Sequence, residues 1–120
     1  MNVKGSRIDG VLHLEFDGGD TLDVHSVTPV KERALTLLDT TTDVVIDLSG
    51  VEFIDSAGMS LLVSLYKATR LNGRRANFTG VQSGVLRTME VIQLNRIFDL
   101  YEDLDSAVRA LQSAELVEVL

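Results

Sequence analysis

The stretch Val44 to Asn72, VVIDLSGVEFIDSAGMSLLVSLYKATRLN, constrains the fold more than any other part of the chain. Val44, Val45 and Ile46 form an uninterrupted apolar run bounded by polar punctuation. That is the pattern of a strand covered on both faces, because a strand with one wet face alternates. A central strand is therefore expected here. A tight turn and a short hydrophobic connector follow, and then an amphipathic helix starts at Asp55 and Ser56, with Ala57, Gly58 and Met59 as its first residues. Ser56 is the residue on which function is expected to turn.

The rest of the chain predicts a hairpin first. Asp9-Gly10, a preferred two-residue turn, separates strands Asn2 to Ile8 and Val11 to Phe16. In the second strand Leu12, Leu14 and Phe16 share one face, leaving Val11, His13 and Glu15 on the other, so His13 is read as a solvent-side residue. The loop Asp17 to Ser26 holds Asp20, Asp23 and His25, each readable as a solvated turn residue or as a binding residue at a strand end. Val27 to Leu38 is expected to be a helix capped by Ser26 or Thr28, with Pro29 in its first turn and a stripe of Val30, Ala34, Leu37 and Leu38. Past the central helix, which Gly73 closes, the pattern predicts a strand over Ala76 to Phe78. A helix capped by Ser83 and carrying Val85, Leu86, Met89 and Ile92 comes next, then a strand over Ile97 to Tyr101 and a helix over Asp103 to Ala114. The apolar tail Glu115 to Leu120 either finishes that helix or lies against a partner. The order ββαβαβαβα implies an α/β fold: one domain over residues 1–120, with a mostly parallel sheet, an antiparallel edge hairpin and about four helices.

Composition narrows the function. A formal net charge of −7 argues against direct nucleic-acid binding, which needs clustered cations to displace counterions from phosphates. Lys67, Arg70, Arg74 and Arg75 make one basic spot, read as a solvated helix end. With no cysteine there are no disulfides, thiolate chemistry or Cys-based zinc sites. The first ten residues have no apolar export core, and no run approaches the ~20 apolar residues of a membrane span, so no membrane insertion and a cytoplasmic location are expected.

No catalytic constellation is legible. The chain has neither a phosphate-binding Gly-x-x-x-x-Gly-Lys loop nor a Gly-x-Gly-x-x-Gly fingerprint, and Ser56 lacks a Gly-x-Ser-x-Gly elbow. Asp43, Asp47 and Asp55 are spread along one element rather than converging, and His13 has no ligand partner at sequence spacing. Neither an enzyme nor a metal or other cofactor is expected. Ser56 then has two readings: an N-cap worth about 1 kcal/mol, or a phosphorylation switch at a helix start, where an added charge of about −1.5 to −2 spares the fold and disrupts a docking surface.

The segment Asp47-Leu48-Ser49-Gly50-Val51-Glu52-Phe53-Ile54-Asp55-Ser56-Ala57-Gly58-Met59 resembles the signature of the STAS domain in bacterial anti-sigma factor antagonists. Leu22-Asp23 resembles the family's step into its first helix, and Val85, Arg87, Met89 and Leu94 resemble its third-helix pattern. The resemblance implies that Ser56 is the phosphoacceptor of a partner that is both anti-sigma factor and serine kinase. It also implies that the unmodified chain binds that partner and releases the sigma factor, and that a serine phosphatase restores the hydroxyl. Asp23 and Asp55 would flank the acceptor, and Ser56, Gly58 and Met59 would lie in the docking surface. The sequence departs from the pattern in a first loop one residue longer than usual, in Ser60 for a common Gly, and in Gln93 where Gly often follows the third helix. A left-handed ending at Gln93 would cost about 1 kcal/mol. Two alternatives stay open: a non-switching STAS scaffold subunit of a lipid-transport ATPase or stressosome-like assembly, and a nucleotide-binding or hydrolytic protein.

Overall fold

Val44, Val45 and Ile46 lie where their apolar run demands, in the middle of a five-stranded sheet. The computed structural model describes residues 1–119, with side chains through Gln112. Its strands are β1 (Asn2–Ile8), β2 (Val11–Asp17), β3 (Thr21–Leu22), β4 (Val44–Asp47), β5 (Phe53–Ile54), β6 (Ala76–Thr79) and β7 (Asp99–Tyr101). Its helices are α1 (Val27–Leu37), α2 (Ser56–Leu71), α3 (Ser83–Val91) and α4 (Leu104–Val119), with a 3₁₀ turn, η1, over Leu94–Arg96. The main sheet runs β1-β2-β4-β6-β7. β1 pairs antiparallel with β2, and every other neighbour is parallel. The Asp9-Gly10 turn closes the hairpin with both residues at positive φ, 50° and 79°, as a two-residue turn between twisted strands requires.

The sheet separates two cores. Leu14, Phe16, Ile46 and Phe78 pack against Ala34 of α1, Leu62 and Leu65 of α2, and Val85 and Met89 of α3. On the other face Val11 and Val45 pack against Ala107, Val108 and Leu111 of α4. His13 belongs to that second face and is buried, 6% exposed, not solvent-side as its place in the alternation suggested. The physical reason is α4, which covers a face that a lone strand would leave wet.

Other differences are local. The loop after β2 and the connector after β4 each contain a two-residue strand, β3 and β5, which pair in parallel as a separate small sheet. Asp55 and Gln82, not Ser56 and Ser83, are the N-caps of α2 and α3. Ser26 stands at the N-cap of α1 without a capping side-chain bond. Phe98, expected within the last strand, precedes it and stacks on Phe78 with ring centroids 4.3 Å apart. Gln93 does adopt the left-handed conformation, at φ 63°. The basic spot is not simply solvated. Arg75 pairs with Asp43 at 3.2 Å, Arg74 donates to the Thr41 carbonyl at 2.7 Å, and Arg70 lies over the Tyr66 ring. The side chains of the apolar tail, and Leu120 entirely, lie outside the described residues.

Candidate functional site

The site is assembled where the small β3–β5 sheet meets the start of α2. The amide of Asp55 donates to the Leu22 carbonyl at 3.3 Å, so the end of β5 is held against β3 as the chain turns into the helix. The Asp55 side chain then caps α2, its Oδ1 accepting the Gly58 N–H at 2.9 Å. Its Oδ2 accepts the Val24 N–H at 3.0 Å and ties in the loop that precedes α1. The Gly58 amide, with further help from those of Val24 and Ala57, holds the Asp55 carboxyl below its usual range against the opposing effect of desolvation.

Because Asp55 does the capping, Ser56 is free of that task. It occupies the first helical position and is exposed. No hydrogen bond engages its hydroxyl among the described residues. Asp23 organises the loop that Asp55 ties in through Val24. Its backbone carbonyl accepts the amides of Ser26 and Val27 at 3.0 and 2.9 Å, and its Oδ1 accepts the His25 N–H at 3.0 Å. Asp23 and Asp55 are thus brought to one place through Val24.

Gly58 and Met59 contribute from below. Gly58 is buried, and a Cβ there would collide with the Leu22 carbonyl oxygen and with Ile54, so the helix can approach the small sheet only without a side chain at this position. Met59 is 1% exposed and meets the surface only as the floor of a groove. The outward-facing apolar residues are instead Val24 and Phe53, 63% and 61% exposed, on the two segments that flank Ser56. Sequence reading missed both, although an aliphatic residue inside an acidic loop and a Phe beside Glu52 in a short connector are the available signals.

Two grooves run along α2. One, of about 570 Å³, lies against α1 and is lined by Val27, Lys31, Glu32, Leu35, Ala57 and Ser60. The other, of about 430 Å³, lies against the end of α3 and η1, with Ser56 at one end and Lys67 at the other.

A family model described as "STAS domain" matches residues 3–107. The chain belongs to the STAS domain family. It is similar to the anti-sigma-B factor antagonist of Staphylococcus aureus (strain NCTC 8325 / PS 47), with 33% identity over 104 residues that span 85% of this chain and 94% of that one. The Staphylococcus epidermidis protein of the same name is 28% identical over 103 residues, covering 85% of this chain and 95% of its own. Among solved structures, an anti-sigma factor antagonist from Mycobacterium paratuberculosis shares the fold with a TM-score of 0.82, at 24% identity and over 92% of this chain and 93% of that chain.

This STAS domain also holds a polar cluster that the sequence did not disclose. Asp47 was read as isolated by alternation and His13 as lacking ligands, yet the fold brings Glu15 and Asp47 to His13. One ligand atom from each lies within 4.8 Å of the others. The two carboxylates address opposite edges of the imidazole, Asp47 meeting Nε2 at 2.8 Å and Glu15 meeting Nδ1 at 3.4 Å. The two carboxylates thus hold the imidazole ring between them. The other Asp47 oxygen accepts the Ser49 hydroxyl at 2.6 Å and the Ser49 amide at 3.0 Å. Burial of Asp47 works to raise its pKa, but Ser49 and then His13 outweigh it and hold the carboxyl below its usual range. Ser49 in turn presents its carbonyl to the Gln82 side chain at 2.7 Å, so the clamp fixes the turn that leads into β5 and the Ser56 site.

Proposed function

We propose that this STAS domain is an anti-sigma factor antagonist that works by partner switching. The unmodified form binds an anti-sigma factor with serine kinase activity and so frees the sigma factor; phosphorylation of Ser56 blocks that binding, and a serine phosphatase reverses it. The observation that carries the reading is the Ser56 hydroxyl itself: exposed, at the first position of α2, and unused by the fold because Asp55 has taken the cap. The names of the staphylococcal relatives, matched over nearly their full length, support the same role.

Electrostatics explains how a modification there switches binding without unfolding the domain. The positive end of the α2 dipole favours a phosphate at this position. The Asp55 carboxylate, one residue away and already holding the Gly58 amide, opposes it. The phosphate therefore projects outward as a doubly charged, strongly hydrated group at the middle of the surface formed by Asp23, Asp55, Ser56, Val24 and Phe53. A partner docked there would have to strip that water and meet the charge.

The direct test is intact-mass analysis of the chain purified from its native host, with fragmentation across Val51 to Arg70. A gain of about 80 Da localised to Ser56 is the expected result. Ser56→Asp is expected to stay folded and lose the kinase, and Ser56→Ala to stay folded and bind it constitutively. Retention of wild-type affinity by Ser56→Asp, with no phosphate found under any growth or stress condition, would favour a constitutive scaffold.

A further inference from the structure

His13 is the buried one of the two histidines, and its ring nitrogens are not equivalent. Nε2 lies 2.8 Å from Asp47 Oδ2. An ionised carboxylate only accepts, so Nε2 carries the hydrogen of that bond. In the neutral ring Nδ1 then has no hydrogen and presents a lone pair. The atom nearest that lone pair on Glu15 is another acceptor, Oε1, at 3.4 Å, and no hydrogen bond engages Nδ1 among the described residues. The His13 side chain is 8% exposed, whereas that of Glu15 is 38% exposed and opens the pair to solvent.

Two acceptors in this position call for a cation between them, and their separation selects which. A proton would draw nitrogen and oxygen to the roughly 2.7–2.9 Å of a charge-assisted hydrogen bond. A tetrahedral ion, about 2.0–2.1 Å from nitrogen and 2.0–2.2 Å from oxygen, sets its ligand atoms about 3.4 Å apart. The surroundings fit an ion as well. Asp47 stands where a metal-bound histidine has the carboxylate that accepts its far N–H, which fixes both tautomer and ring orientation. Asp47 is itself fixed, because its other oxygen accepts the Ser49 hydroxyl at 2.6 Å and the Ser49 amide at 3.0 Å. Lys4 is opposite Glu15 in the β1–β2 register, but its Nζ pairs with Asp17 at 2.9 Å.

We propose that His13 Nδ1 and Glu15 Oε1 bind a divalent ion of the zinc type, with Asp47 as the positioning residue behind the ring and water in the remaining positions. An imidazole nitrogen beside one carboxylate suits Zn²⁺ and its transition-metal neighbours, whereas Ca²⁺ and Mg²⁺ require six or more oxygen ligands. The site lies on the α4 face of the sheet and is independent of partner switching at Ser56.

The test titrates Zn²⁺ into the untagged full chain, stripped with EDTA, by calorimetry at neutral pH, while long-range ¹H–¹⁵N NMR follows the imidazole nitrogens. The expected result is one ion per chain and a displaced His13 Nδ1 resonance with Nε2 still protonated; Ca²⁺ and Mg²⁺ at the same concentration should do neither. Asp47→Asn, shown to be folded by circular dichroism, should weaken binding about tenfold with Nδ1 still the ligand, the usual effect of losing an outer carboxylate. Glu15→Gln removes a ligand at a part-exposed position and should stay folded while weakening binding more than Asp47→Asn does. His25→Ala, at the exposed histidine, should bind as wild type. An Nδ1 that carries a proton in the metal-free chain and does not respond to Zn²⁺, wild-type affinity in Glu15→Gln, or loss of binding in His25→Ala would each overturn the site. Wild-type affinity in Asp47→Asn would overturn the positioning role of that carboxylate.

Discussion

The Oδ2 oxygen of Asp55 accepts the backbone N–H of Val24 at 3.0 Å, across 31 residues of sequence. Its Oδ1 caps α2 by accepting from Gly58. One carboxylate therefore sets both the start of the helix that carries Ser56 and the position of the loop that carries Asp23, and the two halves of the site cannot shift independently.

Removing that carboxylate should affect both halves at once. Asp55→Ala is expected to lower the urea midpoint of unfolding and to raise amide exchange at Val24 as well as at Gly58. Ser56→Ala should change stability by less than about 0.5 kcal/mol, since its hydroxyl caps nothing. Parallel urea titrations and hydrogen-exchange measurements on the two variants check the assignment of the cap.

Gly58→Ala reverses the usual helix rule. Alanine inside a helix ordinarily gains up to about 1 kcal/mol over glycine. Here the added Cβ meets the Leu22 carbonyl oxygen and Ile54, and the small β3–β5 sheet must move. A loss of about 2 kcal/mol is expected, accompanied by chemical-shift changes at Leu22 and Ile54.

Gln93 pays a left-handed backbone at φ 63° with a side chain attached. Gln93→Gly should raise stability by about 1 kcal/mol, seen as a higher urea midpoint at unchanged m-value.

The two partners of His13 should be unequal. His13→Ala removes a buried ring and strips Asp47 of a partner, with an expected cost of about 3 kcal/mol. Glu15→Ala deletes a carboxylate that is 38% exposed and should cost below about 1 kcal/mol. Denaturant unfolding at neutral pH distinguishes them.

Acid sensitivity follows from the lowered carboxylates. Asp39 is held at a pKa of about 2, first by the Thr41 amide and then by the Thr41 hydroxyl, and Asp47, Asp55 and Asp103 are shifted in the same direction. A carboxylate whose folded pKa lies below its unfolded value of about 3.9 contributes its stabilisation in full above that value and loses it as the pH falls toward the folded pKa. Stability is therefore expected to decline from about pH 5 downward, and Asp39→Asn should flatten the portion between about pH 4 and 2. Urea midpoints measured across that range test both statements.

The order of elements was legible because Val44 to Ile46, the Asp9-Gly10 turn and the helical stripe of Val30, Ala34, Leu37 and Leu38 are local signals strong enough to stand alone. What escaped was set by tertiary partners. β3 and β5 are two residues each and exist only because they pair with one another. His13 and Glu15 alternate with Leu12 and Leu14 in a way that fits a wet face as well as one covered by α4. The N-cap reading of Ser56 is off by one position, since Asp55 holds the cap of α2. Asp55 and Ser56 are both good caps, and only the paired demands of Gly58 and Val24 on one carboxylate decide between them.

The division of the interior into two cores has a further implication. The sheet acts as a bulkhead: α1, α2 and α3 line the side that carries Ser56, and α4 with Ala107, Val108 and Leu111 closes the other. A change on the outer surface of α4 is separated from the Ser56 face by the full thickness of the sheet, so the two faces of this domain can drift independently.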